Sequence, residues 1–124
     1  MENNTDTLQM RYQGRTVFTS KGRWLHPLFE LERFLANHSY ISADIEIKDK
    51  IIGKAAAVLI CRLGIKVLRV GILSRPGKEI LEANDVVFSY DLLIDRIDCI
   101  TEELLADKDD FDEIHEMLLS RAAS

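Results

Sequence analysis

The chain predicts an α/β fold: a three-layer α/β/α sandwich built on a mixed sheet. Three observations carry this. An alternating stretch with a central Gln13-Gly14 opens the chain as a hairpin. Apolar strand-like runs then alternate with helical ones, which is the pattern of parallel β-α-β units. The chain closes on acidic amphipathic helices. Its 124 residues suit one domain spanning 1–124, long enough to bury a core without disulfides or metal staples.

The elements follow in order. Residues 1–7 are polar and expected to fray. "LQMRYQGRTVFTS" alternates on both sides of Gln13-Gly14, which predicts strands Leu8–Tyr12 and Thr16–Ser20 joined by a tight turn. Lys21-Gly22-Arg23 is a turn. "HPLFELERFLANH" sets Leu28, Leu31, Phe34 and Leu35 on one helical face, with Pro27 in the first turn. "YISADIEI" alternates Ile41, Ala43, Ile45 and Ile47 as a strand. "IIGKAAAVLICRL" is apolar nearly all round, so it predicts a helix buried on most sides, closed by Gly64. "IKVLRVGIL" is an interior strand. "RPGKEILEAN" is a short helix ended by Asn84, and "DVVFSYD" is another strand. "LLIDRI" fits strand or helix. "TEELLAD" and "DDFDEIHEMLLSRA" are acidic helices within 101–124, the second with the stripe Phe111, Ile114, Met117 and Leu118.

Composition narrows the setting. Apolar residues make up 47% and charged residues 30%, an ordinary globular balance. Two cysteines, Cys61 and Cys99, imply no disulfide framework and fit a reducing, cytoplasmic environment. "MENNTDTLQ" has neither the basic nor the apolar region of a signal peptide. The longest apolar stretch is too short to span a bilayer. The net charge of −5 is unevenly spread. Residues 48–78 carry Lys48, Lys50, Lys54, Arg62, Lys66, Arg69, Arg75 and Lys78 against Asp49 alone, whereas the last third is strongly acidic.

Several chemistries lack their residues. The three histidines, His26, His38 and His115, have no HxE, HxxxH or CxxC partner, so no metal site is expected. No phosphate-binding glycine loop or nucleophile elbow occurs. The basic middle contains no aromatic residue, which argues against nucleic-acid binding.

One constellation remains. Ligands of open α/β sheets sit beyond the carboxyl ends of parallel strands, where helix N-termini present free N–H groups. The turn after the Ser42–Ile47 strand is expected to hold Asp49, Lys50, Gly53 and Lys54. The turn after "IKVLRVGIL" holds Ser74, Arg75 and Lys78. Lysine in a first helical turn opposes the helix dipole unless an anion offsets it. The ligand reading makes Lys54 and Arg75 the charges and Ser74 a hydroxyl donor for a small anionic metabolite. The structural reading of the same residues is equally simple: Lys54 reaches solvent, Ser74 caps a helix, and the acidic tail neutralises the patch. Cys99 and Glu102, near a helix start, are weaker catalytic candidates. Cys61 reads as core. His26 and Trp24 read as helix-start and packing residues.

The segments "GRWLHPLFEL", "DKIIGKAAAVLI", "ILSRPGKEIL" and "RIDCITEELL", in that order, resemble domain-of-unknown-function family 1893, a bacterial group of the cytidine-deaminase-like superfamily. The most specific match is Asp49-Lys-Ile-Ile-Gly-Lys-Ala-Ala-Ala57. Cys99-Ile-Thr-Glu102 resembles the family's Cys-Pro-Met-Glu without its proline. The resemblance implies the deaminase-like sandwich. In catalytic deaminases a His-Ala-Glu and a Pro-Cys-x-x-Cys open two helices and hold zinc. In this frame they fall near Gly53-Lys54-Ala55 and on Pro76-Gly77-Lys78-Glu79-Ile80, where Gly77 and Ile80 replace both thiolates. The expectation is a zinc-free domain with no cofactor that binds an anionic, nucleotide-like metabolite and does not deaminate by hydrolysis. The alternative is an interaction module acting through the acidic C-terminal helices. A homodimer is the expected assembly, without nucleic acid or membrane.

Overall fold

A computed structural model describes residues 6–97 and 104–122. Five strands form one sheet in the order β2-β1-β3-β4-β5. Strands β1 (Leu8–Tyr12) and β2 (Arg15–Ser20) form the expected hairpin. Gln13 and Gly14 both take positive φ, 50° and 80°, as a two-residue hairpin turn of matching twist requires. Strand β1 also pairs antiparallel with β3 (Ile45–Ile52), which pairs parallel with β4 (Val67–Ser74), and β4 with β5 (Val87–Ile94). The sheet is therefore mixed, with a parallel centre. The first three residues of "LLIDRI" belong to β5.

Helix α1 (His26–Ala36) follows the hairpin, α2 (Lys54–Arg62) follows β3, α3 (Arg75–Ala83) follows β4, and α4 (Phe111–Ala122) ends the described chain. Leu8, Met10, Ile45, Ile47, Leu68 and Val70 are buried on one sheet face, in one core with Leu28 and Leu31 of α1, Leu81 of α3, and Ile114 and Leu118 of α4. Helix α2 is buried from Lys54 through Ile60. Its surroundings explain why no polar face was legible in it: it contacts α1, α3 and α4 as well as β3. Helices α1, α2 and α3 contact strands of the sheet and α4 packs on α2, so the expected mixed α/β architecture is present. The second sheet face is polar: Arg11, Lys48, Arg69, Ser89 and Asp91 are exposed on it, and Arg69 Nε pairs with Glu46 Oε1 at 2.7 Å.

Two boundaries differ from the sequence reading. Ser42–Asp44 form a single 3₁₀ turn, not a strand, and Ile41 is exposed. The alternation from Ile41 to Asp44 has no partner strand, because β1 pairs only with Ile45–Asp49. At the other end, Lys48-Asp49-Lys50 is strand and not turn, and Ile51 and Ile52 belong to β3 and not to the helix. Three charges in a row suit a strand whose second face is wet. Of the expected helix "TEELLAD", 101–103 lie outside the described residues and Leu105 sits in a turn, fully buried.

The strands β3 and β4 meet irregularly at Lys50 and Gly71. The ladder passes from Asp49–Val70 to Ile51–Ile72 without a Lys50–Gly71 pair. The burial pattern slips by one there: Ile47, Leu68 and Val70 are buried before it, Ile52 and Leu73 after it, while Ile51 is half exposed. A Cβ on Gly71 would lie 2.6 Å from the Lys50 carbonyl oxygen, so only glycine admits this approach. Gly71→Ala is expected to cost about 1–3 kcal/mol by overpacking against backbone, measured by urea unfolding at neutral pH.

Candidate functional site

A cavity of about 380 Å³ opens at the carboxyl end of β3. Its walls come from three places. Trp24, Leu25 and Pro27 belong to the entry into α1, Asp49, Lys50 and Ile51 to β3, and Gly53, Ala55 and Ala56 to the start of α2. Thr7, Gly22, Arg23 and Ile97 complete the lining. Most of this surface is apolar, as ligand pockets usually are, with a few polar groups converging.

Hydrogen bonds hold the wall nearest the hairpin. Thr7 Oγ1 donates to the carbonyls of Gly22 (2.8 Å) and Ser20 (3.1 Å). The Lys50 N–H donates to the Thr7 carbonyl at 3.1 Å, so the start of β1 joins this loop to β3. Ser20 Oγ accepts from the Gly22 N–H (3.1 Å) and donates to Glu30 Oε2 (2.9 Å), tying the loop to α1. Trp24 then takes φ of 57°, a left-handed conformation that is unusual for a bulky side chain and characteristic of strained functional positions. The residue is 43% exposed and its ring meets His26 and Phe29 edge-on.

The two nearby helix starts differ. In α1 the His26 N–H donates to Arg23 O, and the Leu28 and Phe29 N–H groups to Leu25 O, so its first turn is satisfied. Helix α2 begins at Gly53 with no side-chain cap, and its first-turn residues Ala55 and Ala56 line the cavity. With Arg23 and Lys50, both exposed, this end of the cavity is electropositive.

Asp49 is the unusual group. It pairs with Leu8 on β1 and Val70 on β4, both buried, so it occupies an apolar row on the core-facing side of the sheet. Its Oδ1 accepts from the Ile51 N–H at 3.4 Å. Removal from water pushes its carboxyl up to about 7 from the ordinary 3.8, although the Ile51 and Lys50 N–H groups pull the other way. A carboxyl poised near neutrality in a cleft is a mark of functional sites.

Of the residues singled out in the sequence, the structure brings Asp49, Lys50 and Gly53 together at the cavity. The other four, Lys54, Ser74, Arg75 and Lys78, lie outside its lining and have partners within the chain, Lys78 Nζ lying 3.8 Å from Glu82 Oε2. Lys54 is buried, its Nζ donating to Leu105 O at 2.7 Å and lying 4.0 Å from Asp109 Oδ1. Ser74 is fully buried and caps α3, accepting from the Gly77 N–H at 3.1 Å. Arg75 Nε pairs with Asp95 Oδ1 at 2.8 Å on the surface. Two adjacent open helix starts were expected, and the one at α3 is closed by its own cap. Cys61 is partly buried beside the core, and burial pushes its thiol up to about 11, away from the thiolate form. Cys99 and Glu102 lie outside the described residues. Helix α4 uses its apolar stripe inside the domain, and His115 Nε2 meets Glu32 Oε2 of α1 at 3.0 Å.

Arg23 and Trp24 were not legible as cavity residues. The available signal was the chain's single tryptophan placed where a glycine turn enters a helix. Among the described residues no group of three or more His, Cys, Asp or Glu is placed to hold a metal ion. A Cβ on Gly77 would sit 3.0 Å from the carbonyl carbon and oxygen of Gly53, so a larger residue at position 77 requires the neighbouring backbone to give by a few tenths of an ångström. Among the described residues no helix is long and apolar enough to cross a membrane.

The Asp49 pKa makes a stability prediction. The folded protein keeps a proton that the unfolded chain loses above its ordinary value. Stability therefore falls as pH rises from about 4 to about 7, and the loss is complete above that. Asparagine retains an oxygen for the Ile51 N–H and has no charge to bury. Asp49→Asn is expected to be more stable than the parent at pH 8 by about 2–4 kcal/mol, with the difference vanishing near pH 4, as read by urea unfolding at the two pH values.

Comparison with known proteins agrees with the residue-level resemblance. The family described as "TM1506: Domain of unknown function (DUF1893)" matches residues 2–120. The crystal structure of a DUF1893 family protein (TM1506) from Thermotoga maritima is similar, with a TM-score of 0.80 and 27% identity. The match covers 94% of this chain and 80% of that one. A search of curated proteins finds no match. The chain belongs to the DUF1893 family.

Proposed function

We propose that this domain binds a small anionic metabolite, nucleotide-like in joining a ring to an anionic group, in the cavity at the end of β3. One observation carries the reading: an apolar cavity of about 380 Å³ ends at an uncapped helix start flanked by two cations, Arg23 and Lys50. The apolar walls suit a ring. The α2 N-terminus and the cations suit a negative group, since exposed backbone N–H groups and the helix dipole both favour anions there. The volume matches a compact metabolite. Lys54 and Ser74 support the site from behind: Lys54 fixes α2 to the turn at Leu105, and Ser74 fixes the start of α3 against Gly53.

This is a zinc-free reading. Hydrolytic deamination needs a metal-activated water, and the frame that would hold the metal has lost its thiolates at Gly77 and Ile80. An interaction module built on α4 is less well supported, because Ile114 and Leu118 are fully buried within the domain.

A thermal-shift screen with nucleotides, nucleosides, sugar phosphates and carboxylates, with zinc and with chelator, tests the reading. A ligand at a hundred times its dissociation constant adds about 2.7 kcal/mol, a rise of roughly 5 °C for a domain of this size. The shift is expected with one anionic class, independent of zinc, and lost in Lys50→Ala and in the cavity-filling Ala56→Leu. A shift that survives both substitutions, a zinc-specific shift, or no shift with any class contradicts it.

A further inference from the structure

We infer that the ligand is an aromatic acid taken up together with a proton: Asp49 enters the complex as a neutral carboxylic acid and donates a hydrogen bond to the bound anion. This rests on the cavity reading above and goes further in assigning the ligand's class and its linkage to pH.

The geometry leads there in three steps. Asp49 lines the cavity beside Lys50, Gly53, Ala55 and Ala56, the end where an anion belongs. An ionised Asp49 would set a like charge against that anion. A protonated Asp49 removes the repulsion and adds a donor. Its Oδ1 is held by the Ile51 N–H, so the proton is assigned to Oδ2. No bond to carbon forms or breaks; one proton moves from solvent to Asp49 when the anion binds. The position of Asp49 between Leu8 and Val70 already favours the neutral acid, and its pKa of about 7 puts the exchange within the physiological range. The aromatic part follows from Trp24, a flat exposed ring set on the wall by a strained backbone.

The charged groups around Asp49 come from every neighbouring element. Lys48 and Lys50 flank it on β3, Asp6 precedes β1, and Arg69 lies on β4 next to Val70, paired with Glu46. Arg23 and His26 come from the entry into α1, and Lys54 begins α2 with its Nζ on Leu105 O. Histidine is the one side chain in that set that ordinarily titrates near neutrality, so His26 is the control.

The probe is 1-anilinonaphthalene-8-sulfonate, an aromatic acid whose sulfonate stays ionised throughout. Trp24 is the sole tryptophan, so energy transfer from it reports probe bound to this domain, and its loss in Ala56→Leu places the probe in the cavity. Binding is expected to be about thirtyfold tighter at about pH 5.5 than at about pH 8.5, following the protonated fraction of a group titrating near 7. His26→Gln keeps that dependence, and Asp49→Asn binds with the same high affinity at both pH values. Calorimetry of the unmodified protein near pH 8, in buffers of different ionisation enthalpy, is expected to show about one proton taken up per probe bound. Binding at the cavity with no proton uptake, or a pH dependence that survives in Asp49→Asn, overturns the inference and leaves the cavity reading standing. Absence of energy transfer at both pH values, or binding undiminished in Ala56→Leu, overturns the cavity reading itself.

Discussion

Helix α2 buries Lys54 through Ile60, and that burial dictates where its neighbours lie. A helix with an apolar stripe needs one surface to pack on. A helix apolar all round needs several, and the fold supplies them with the sheet, α1, α3 and α4. The acidic C-terminal helix is thereby part of the core. Lysine at the start of α2 is tolerated because its ammonium meets the Leu105 carbonyl and lies near Asp109. A buried cation without such partners would be strongly destabilising.

The same constraint places the cavity. With α2 pressed against the sheet and the start of α3 in contact with Gly53, the free side of the α2 N-terminus faces the entry into α1. There the hairpin, tied down through Thr7, sets Arg23 and Trp24 across from the end of β3. The irregular step at Lys50 and Gly71 comes immediately after Asp49, so the carboxyl lies on the core-facing side while Ile51 is half exposed. A carboxyl kept in an apolar row destabilises the folded state at neutral pH relative to an uncharged residue. Groups of that kind are characteristic of sites in which they do chemistry or recognition.

Much of this was legible in the sequence, and the failures are instructive. The hairpin, α1, α3 and the parallel centre followed from periodicity and turn chemistry, because each is set by local pattern. Strand β3 did not. Its charged run Lys48-Asp49-Lys50 looks like a turn unless one knows that the second sheet face is wet, which is a tertiary fact. The rule that ligands gather at the carboxyl ends of parallel strands pointed to Asp49, Lys50 and Gly53, which line the cavity. It could not show that Lys54 and Arg75 have partners far along the chain, at Leu105 and Asp95, whereas the cap at Ser74 is one of the two readings its local sequence offers. The rule also says nothing of the hairpin side, so Arg23 and Trp24 emerged only from the three-dimensional arrangement.

The protonation state of Asp49 is the point on which the proposed binding site, its pH linkage and the stability profile converge. Carboxyl carbon-13 NMR of the folded protein, with Asp49→Asn to assign the signal, measures it directly. A midpoint near 7 is predicted. A midpoint near the ordinary aspartate value of about 4 would mean that Asp49 is solvated and ionised, and would contradict a neutral carboxyl in this cavity.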